Sequence, residues 1–215
     1  ASQIQALESE LELIRAKFIE DAAALSMSRL EAGRRLDKAI ISELKPLKLG
    51  QTKFKATIET CDENEWGVNG WDKVTFQIST NPGTPVGPLQ KIASGGELSR
   101  LLLALRVALS AATPLPTLIF DEVDAGVGGA VAAAVGRRLK RLGDKIQVLV
   151  VTHSPQVAAE GHFHWKILKD DSKGLQRTTA RELEKKERVE EIARMLSGEI
   201  ITEEARAASL KLLES

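Results

Sequence analysis

The sequence predicts an α/β domain, a parallel sheet with flanking helices, preceded by an N-terminal helix of coiled-coil type. Three observations carry this. The first 45 residues hold apolar positions at helix-seam spacing, with Gly33 the one breaker before Pro46. Two short apolar runs, one ending at Phe120 and one at Val151, enclose a single helical pattern. Between arm and runs, Ser94-Gly95-Gly96-Glu97 opens another apolar helical stripe.

The length of 215 residues allows one medium domain, or a smaller one with an extended element, and suffices for a buried core. With 43% hydrophobic and 28% charged residues the chain is not a disordered one. No apolar run approaches the roughly 20 residues of a membrane span, and no signal-peptide pattern opens the chain. The single cysteine, Cys61, has no internal partner for a disulfide, which suits a reducing cytoplasm. Thirty basic residues balance thirty acidic ones, so any contact with DNA must come from a local patch.

Ile4, Leu7, Leu11, Ile14 and Phe18 form the seam of a helix that packs on another helix. The register then shifts to a stripe through Leu25, Leu36, Ile40 and Leu44, which Pro46 must stop. So polar a helix is marginal alone and needs a partner strand. The expected division is an arm end at residues 1–45 and a folded lobe at 46–215. Phe54–Glu59 and Val74–Ile78 alternate as half-buried strands around a polar turn, which predicts a β-hairpin. Asn81-Pro82-Gly83-Thr84-Pro85 reads as a loop.

Ser94 and Glu97 stand at capping-box spacing before Leu98, Leu101, Leu102 and Leu105. A well-capped helix needs no more than that. Two glycines inside the cap, however, bare backbone N–H groups at the positive helix end, where an anion such as phosphate is favoured. The run Thr117–Phe120 reads as a strand buried on both faces, hence parallel and central. It ends at Asp121-Glu122, and paired carboxylates there are costly to bury without a partner. At the carboxyl end of a parallel strand, α/β sheets bind ligands. One such acid can hold Mg²⁺ while its neighbour takes a proton from water. A helix from about Ala130 to Leu142 leads to a second strand, Ile146–Val151, so the two strands should be parallel neighbours with a right-handed crossover. His153 then shares the sheet edge with the acid pair. His162 and His164 alternate as on one strand face but lack a third ligand at metal spacing. The basic run Arg137-Arg138-Leu139-Lys140-Arg141 reads as the solvated face of the crossover helix.

Four blocks in order resemble the ABC ATPases: Ser94–Arg100 as signature motif, Leu118–Glu122 as Walker B, the turn at Asp124 as D-loop, and Thr152-His153 as switch histidine. Val123, where transporter domains usually have proline, places the resemblance in the SMC-like chromosome-maintenance and repair branch. It spans most of the chain after the arm. No G-x-x-x-x-G-K-[ST] occurs in it. The resemblance therefore implies the C-terminal lobe of an ABC-type head, completed by a Walker A lobe that lies before the arm in the same protein. It implies ATP and Mg²⁺ as ligands, with Asp121 holding the metal through water, Glu122 polarising the attacking water and His153 contacting the γ-phosphate. Ser94, Gly95, Gly96 and Glu97 would reach ATP on a second head, with Asp124 also at the nucleotide. The implied output is ATP-driven head dimerisation in recombinational repair of double-strand breaks, on DNA ends or single strands, in the cytoplasm at the nucleoid. Two other readings stay open: the head half of a different chromosome organiser, and a non-catalytic coiled-coil interaction module.

Overall fold

The computed structural model describes residues 2–79, 83, 86–88, 95–109, 116–170 and 177–214. They fall into two units, Ala1–Ser42 with Gly50–Ile92, and Glu43–Leu49 with Ala93–Ser215.

In the first unit the main element is α1 (Ser2–Leu44). Beside it lies an antiparallel sheet in the order β1 (Lys53–Thr60), β2 (Asp72–Ser79), β3 (Gly87–Pro88). The β1–β2 register runs from Lys53 opposite Ser79 to Thr60 opposite Asp72, the hairpin the alternation predicts. The expected loop at 81–85 lies outside the described residues apart from Gly83.

The hairpin itself supplies a partner for the second part of α1. At Gly33 the two approach closely, for a Cβ there would stand 3.0 Å from Ile58 Cδ1 and 3.5 Å from Ala56 Cβ. The Asp37 carboxylate accepts the Ala56 N–H at 2.8 Å, satisfying a strand-edge donor that has no ladder partner. At the hairpin end, Arg29 and the Ser26 hydroxyl both donate to Asp72, at 3.0 and 2.9 Å. Phe18 stacks on Trp66, which meets Trp71, each pair at 5.3 Å between ring centroids. Before Phe18 the seam is bare: Ile4, Leu7, Leu11 and Ile14 are 60–66% exposed. Pro46 stops the α-helix as expected, in a 3₁₀ turn Lys45–Leu47 closed by left-handed Lys48.

The second unit is a parallel pair covered by helices. After α2 (Gly95–Leu109) come β4 (Thr117–Phe120), the crossover α3 (Gly129–Gly143) and β5 (Gln147–Val150). β4 and β5 pair in parallel from Thr117 opposite Gln147 to Phe120 opposite Val150, so the βαβ reading holds. The expectation of strands buried on both faces does not. Phe120 is buried, whereas Ile119, Leu149 and Val151 on the opposite side are 71%, 50% and 61% exposed. α2 and α3 supply the core on one side through Leu101, Leu103, Ala104, Ala132, Val135 and Leu139.

The chain continues through α4 (Pro155–Ala159), an antiparallel hairpin β6 (Trp165–Asp170) and β7 (Arg177–Glu182), then α5 (Lys185–Ser197) and α6 (Glu203–Leu213). Ala158, Ala159 and Ile192 form a small core closed by Met195, Leu212 and Leu213. Arg188 on α5 donates to the carbonyls of Ala158, Ala159 and Gly161, satisfying the orphan acceptors at the end of α4.

The basic run on α3 is not a free solvated face. Arg138 and Arg141 grip the two carboxylate oxygens of Glu43, both at 2.7 Å, and Lys140 pairs with Glu160 at 3.0 Å. α3 and α4 meet at Gly136, where a Cβ would lie 2.9 Å from Glu160 Cγ and 3.1 Å from the Gln156 carbonyl oxygen. Gly136→Val should therefore destabilise the chain by about 1–3 kcal/mol through overpacking. Urea unfolding checks this, and an unchanged midpoint would mean that α4 yields without cost.

Candidate functional site

The parallel pairing delivers two chain ends to the same edge. The ladder runs on past the strands, with Val151 N–H donating to the Phe120 carbonyl at 2.9 Å. Beyond Phe120, Asp121 and Glu122 are exposed, whereas Val123 and Asp124 are buried, at 0% and 1%. The turn after the strand thus breaks the strand alternation, leaving two acids toward solvent and drawing the third inward. Glu122 has left-handed backbone, φ 56°, which directs the chain into the turn. Ala125 N–H donates to the Glu122 carbonyl and Val127 N–H to that of Asp124, at 3.0 and 3.3 Å.

α2 starts against this turn. A Cβ at Gly95 would lie 3.7 Å from Glu122 Oε2, and one at Gly96 only 2.9 Å from the Ala125 carbonyl oxygen. Glycine is needed at 96 because the helix start and the turn backbone touch. Arg100 donates from Nη1 to that same Ala125 carbonyl at 2.9 Å, and the Ser99 hydroxyl reaches the Asp121 carbonyl at 3.4 Å. Burial lowers the Arg100 pKa, with the Glu97 charge partly opposing this. Ser94 lies outside the described residues.

On the other strand, the Thr152 hydroxyl and the Ser154 N–H both donate to Asp124 Oδ2, the latter at 3.2 Å. His153 sits between these two donors, 82% exposed, with Nδ1 4.0 Å from the same oxygen. The structure therefore brings Gly95, Gly96, Asp121, Glu122, Asp124 and His153 to one sheet edge. Arg100 ends the Ser94–Arg100 block, but its hold on the turn was not read from the sequence. Its signal is there, since an arginine at i+4 from Gly96 and i−4 from Ala104 stands on the face of α2 that packs inward.

Exposed Asp121 beside Glu122 gives hard oxygen donors open to solvent, and Mg²⁺ is typically held by one or two carboxylates with water and phosphate oxygens. The donor set fits that ion. The two other histidines lie elsewhere and apart. His162 is in a bend before β6, not on a strand face, and pairs with Asp144 at 3.6 Å. No cluster of three or more metal-ligating side chains occurs among the described residues.

The edge, the crossover unit and the long preceding helix define a class. Solved structures with this fold include the Smc head domain with coiled coil and joint from Pyrococcus yayanosii, at TM-score 0.63 and 19% identity, covering 89% of this chain and 35% of that one. The Smc head with an extended coiled coil from Pyrococcus furiosus matches at 0.60 and 20% identity, covering 90% and 46%. The fold is that of part of an SMC head domain. No family model matches the chain. By sequence it groups with the RecN proteins, whose C-terminal part it matches. It is 43% identical over 98% of its length to the DNA repair protein RecN of Xylella fastidiosa, 41% over 98% to that of Vibrio cholerae, and 40% over 96% to that of Streptomyces coelicolor. The chain spans 38% of the length of these relatives.

Two further perturbed groups, His164 and Glu191, lie away from this edge, in the β6–α5 packing. Burial holds the His164 pKa below its ordinary 6.5, and the nearby Arg188 charge lowers it further. Burial works to raise the Glu191 carboxyl, but hydrogen bonds from Arg194 and Lys166 outweigh it and hold the pKa below the ordinary 4.5. Both shifts favour high pH. An unfolded His164 takes up its proton first, so stability should fall as pH drops below 6.5. The Glu191 contribution, complete above 4.5, should be lost as pH falls through its lower folded value. Urea unfolding from about pH 8 to about pH 2 measures both, and His164→Gln should flatten only the upper slope. A variant with the same slope would place that titration elsewhere.

Proposed function

We propose that this chain is the C-terminal part of an SMC-like ATPase that uses ATP binding and hydrolysis to drive head dimerisation in recombinational repair of DNA double-strand breaks. Residues 1–45 are read as the end of a coiled-coil arm and 46–215 as the C-terminal lobe of the head. The observation that carries the reading is the shared sheet edge, where an exposed acid pair, an exposed histidine and a glycine-lined helix start stand together on buried supports.

In this reading Asp121 holds Mg²⁺, which when bound neutralises charge on the phosphates. Glu122 makes no ion pair among the described residues and takes the proton of the attacking water. His153, projecting from the end of β5, supports the γ-phosphate. Ser94, Gly95, Gly96 and Glu97 present the positive start of α2 to ATP on a second head, with exposed Gly95 admitting phosphate to the backbone. Asp124, 1% exposed, serves the nucleotide site from beneath the turn rather than by facing the phosphates. Phosphoryl transfer needs mainly positioning and charge stabilisation, so a site assembled from two heads is active only when closed. The Walker A lobe of the same protein, the second head and DNA ends or single strands are the partners. No helix among the described residues is long and apolar enough to cross a membrane, and the expected location is the cytoplasm, at the nucleoid. The bare seam Ile4 to Ile14 fits an arm whose partner helix belongs to another part of the protein.

Glu122→Gln in the full-length protein should retain ATP binding, lower turnover by about 10²-fold or more as a lost general base does, and accumulate ATP-bound dimers. Phosphate release and mass by light scattering check this, and wild-type turnover would remove Glu122 from the role. The chain expressed alone should hydrolyse ATP negligibly, with turnover appearing on co-expression of the Walker A lobe. Equal rates with and without that lobe would defeat the composite-site reading.

A further inference from the structure

We infer that Asp124 is a positioning residue for His153, its buried carboxylate clamping the backbone on both sides of that histidine. This deepens the ATPase reading and rests on it. Oδ2 accepts from the Thr152 hydroxyl and from the Ser154 N–H, the residues immediately before and after His153. The Ser154 N–H is also within 3.0 Å of Thr152 Oγ1, so the three groups close a ring around the histidine's peptide. Ser154 is 6% exposed, and its carbonyl accepts the Val157 and Ala158 N–H groups that begin α4. The histidine side chain is the one part of this segment that projects freely, at 82% exposure. Asp124 itself is 1% exposed, so it supports the site from beneath.

The other carboxylate oxygen, Oδ1, is buried without a hydrogen-bond partner among the described residues. Burying a carboxylate with one bare oxygen costs free energy that a small apolar side chain would avoid. Packing alone does not account for an acid here. A two-donor clamp on the segment that carries His153 does, because it fixes where the ring emerges. The turn that presents Asp124 is held in place from the other side, by Arg100 on the carbonyl of Ala125.

The test uses the full-length protein and compares Asp124→Ala, Asp124→Asn, Thr152→Val, His153→Ala and the double variant Asp124→Ala/His153→Ala. His153→Ala and Asp124→Ala should each lower kcat, by about 10²-fold for a misplaced group, with KM for ATP little changed. The double variant should be no slower than the slower single one, since one acts through the other. Asp124→Asn keeps an oxygen that accepts both bonds and should lose less than Asp124→Ala. Hydrogen exchange at the Ser154 N–H should quicken in Asp124→Ala and in Thr152→Val. If Asp124→Ala does not fold, Thr152→Val is combined with His153→Ala in the same way. Effects that multiply in the double variant, or unchanged Ser154 exchange, would overturn the inference. A slow His153→Ala beside a normal Asp124→Ala would overturn it alone, whereas a normal His153→Ala would overturn the role of the histidine and this inference with it.

Discussion

Parallel pairing of β4 with β5 is the constraint from which the site follows. Parallel strands present their carboxyl ends at the same edge, so the acids after Phe120 and the histidine after Val151 meet without any long loop to carry them. The pairing is prolonged by the Val151–Phe120 hydrogen bond and then by the contacts of Thr152 and Ser154 to Asp124. Backbone ladder thus passes directly into side-chain clamp. α2 reaches the same edge by a different route, through a glycine close enough to the turn that a methyl group would collide with it.

Much of this was legible in the sequence because it is local. Alternation located both strands of the hairpin, and the apolar runs with a helical pattern between them located the crossover unit. The edge could then be assigned by topology alone. What was not legible depends on partners distant along the chain. The hairpin that packs on α1 joins Asp37 to Ala56 and Arg29 to Asp72, pairings that helical periodicity cannot show. The basic run of α3 reads as solvated until Glu43 is placed between Arg138 and Arg141. Two-faced burial of β4 and β5 fails for a related reason. An apolar strand says that both faces are meant to be covered, but not by which segment.

At the site, residue types were readable and their exposures were not. Asp121, Glu122 and Asp124 are three acids in one short stretch, and nothing in the spacing says which turns inward. The structure divides them by the twist of the turn after the strand. Arg188 illustrates the same limit on a supporting element. An arginine on a polar helix looks solvated, yet here it collects the carbonyls at the end of α4, the helix that continues from the histidine segment.

In the proposed role of Glu122 as general base, its left-handed backbone sets folding and chemistry against each other. A left-handed conformation is adopted readily by glycine or asparagine and costs a residue such as glutamate about 1 kcal/mol or more. A selection for thermal resistance alone would therefore drift toward glycine at 122, gaining stability while discarding the carboxylate proposed as the base. Stabilised forms of this protein obtained without a screen for activity are for that reason expected to be enriched in catalytically silent sequences, a stability–activity trade-off seated in a single φ angle.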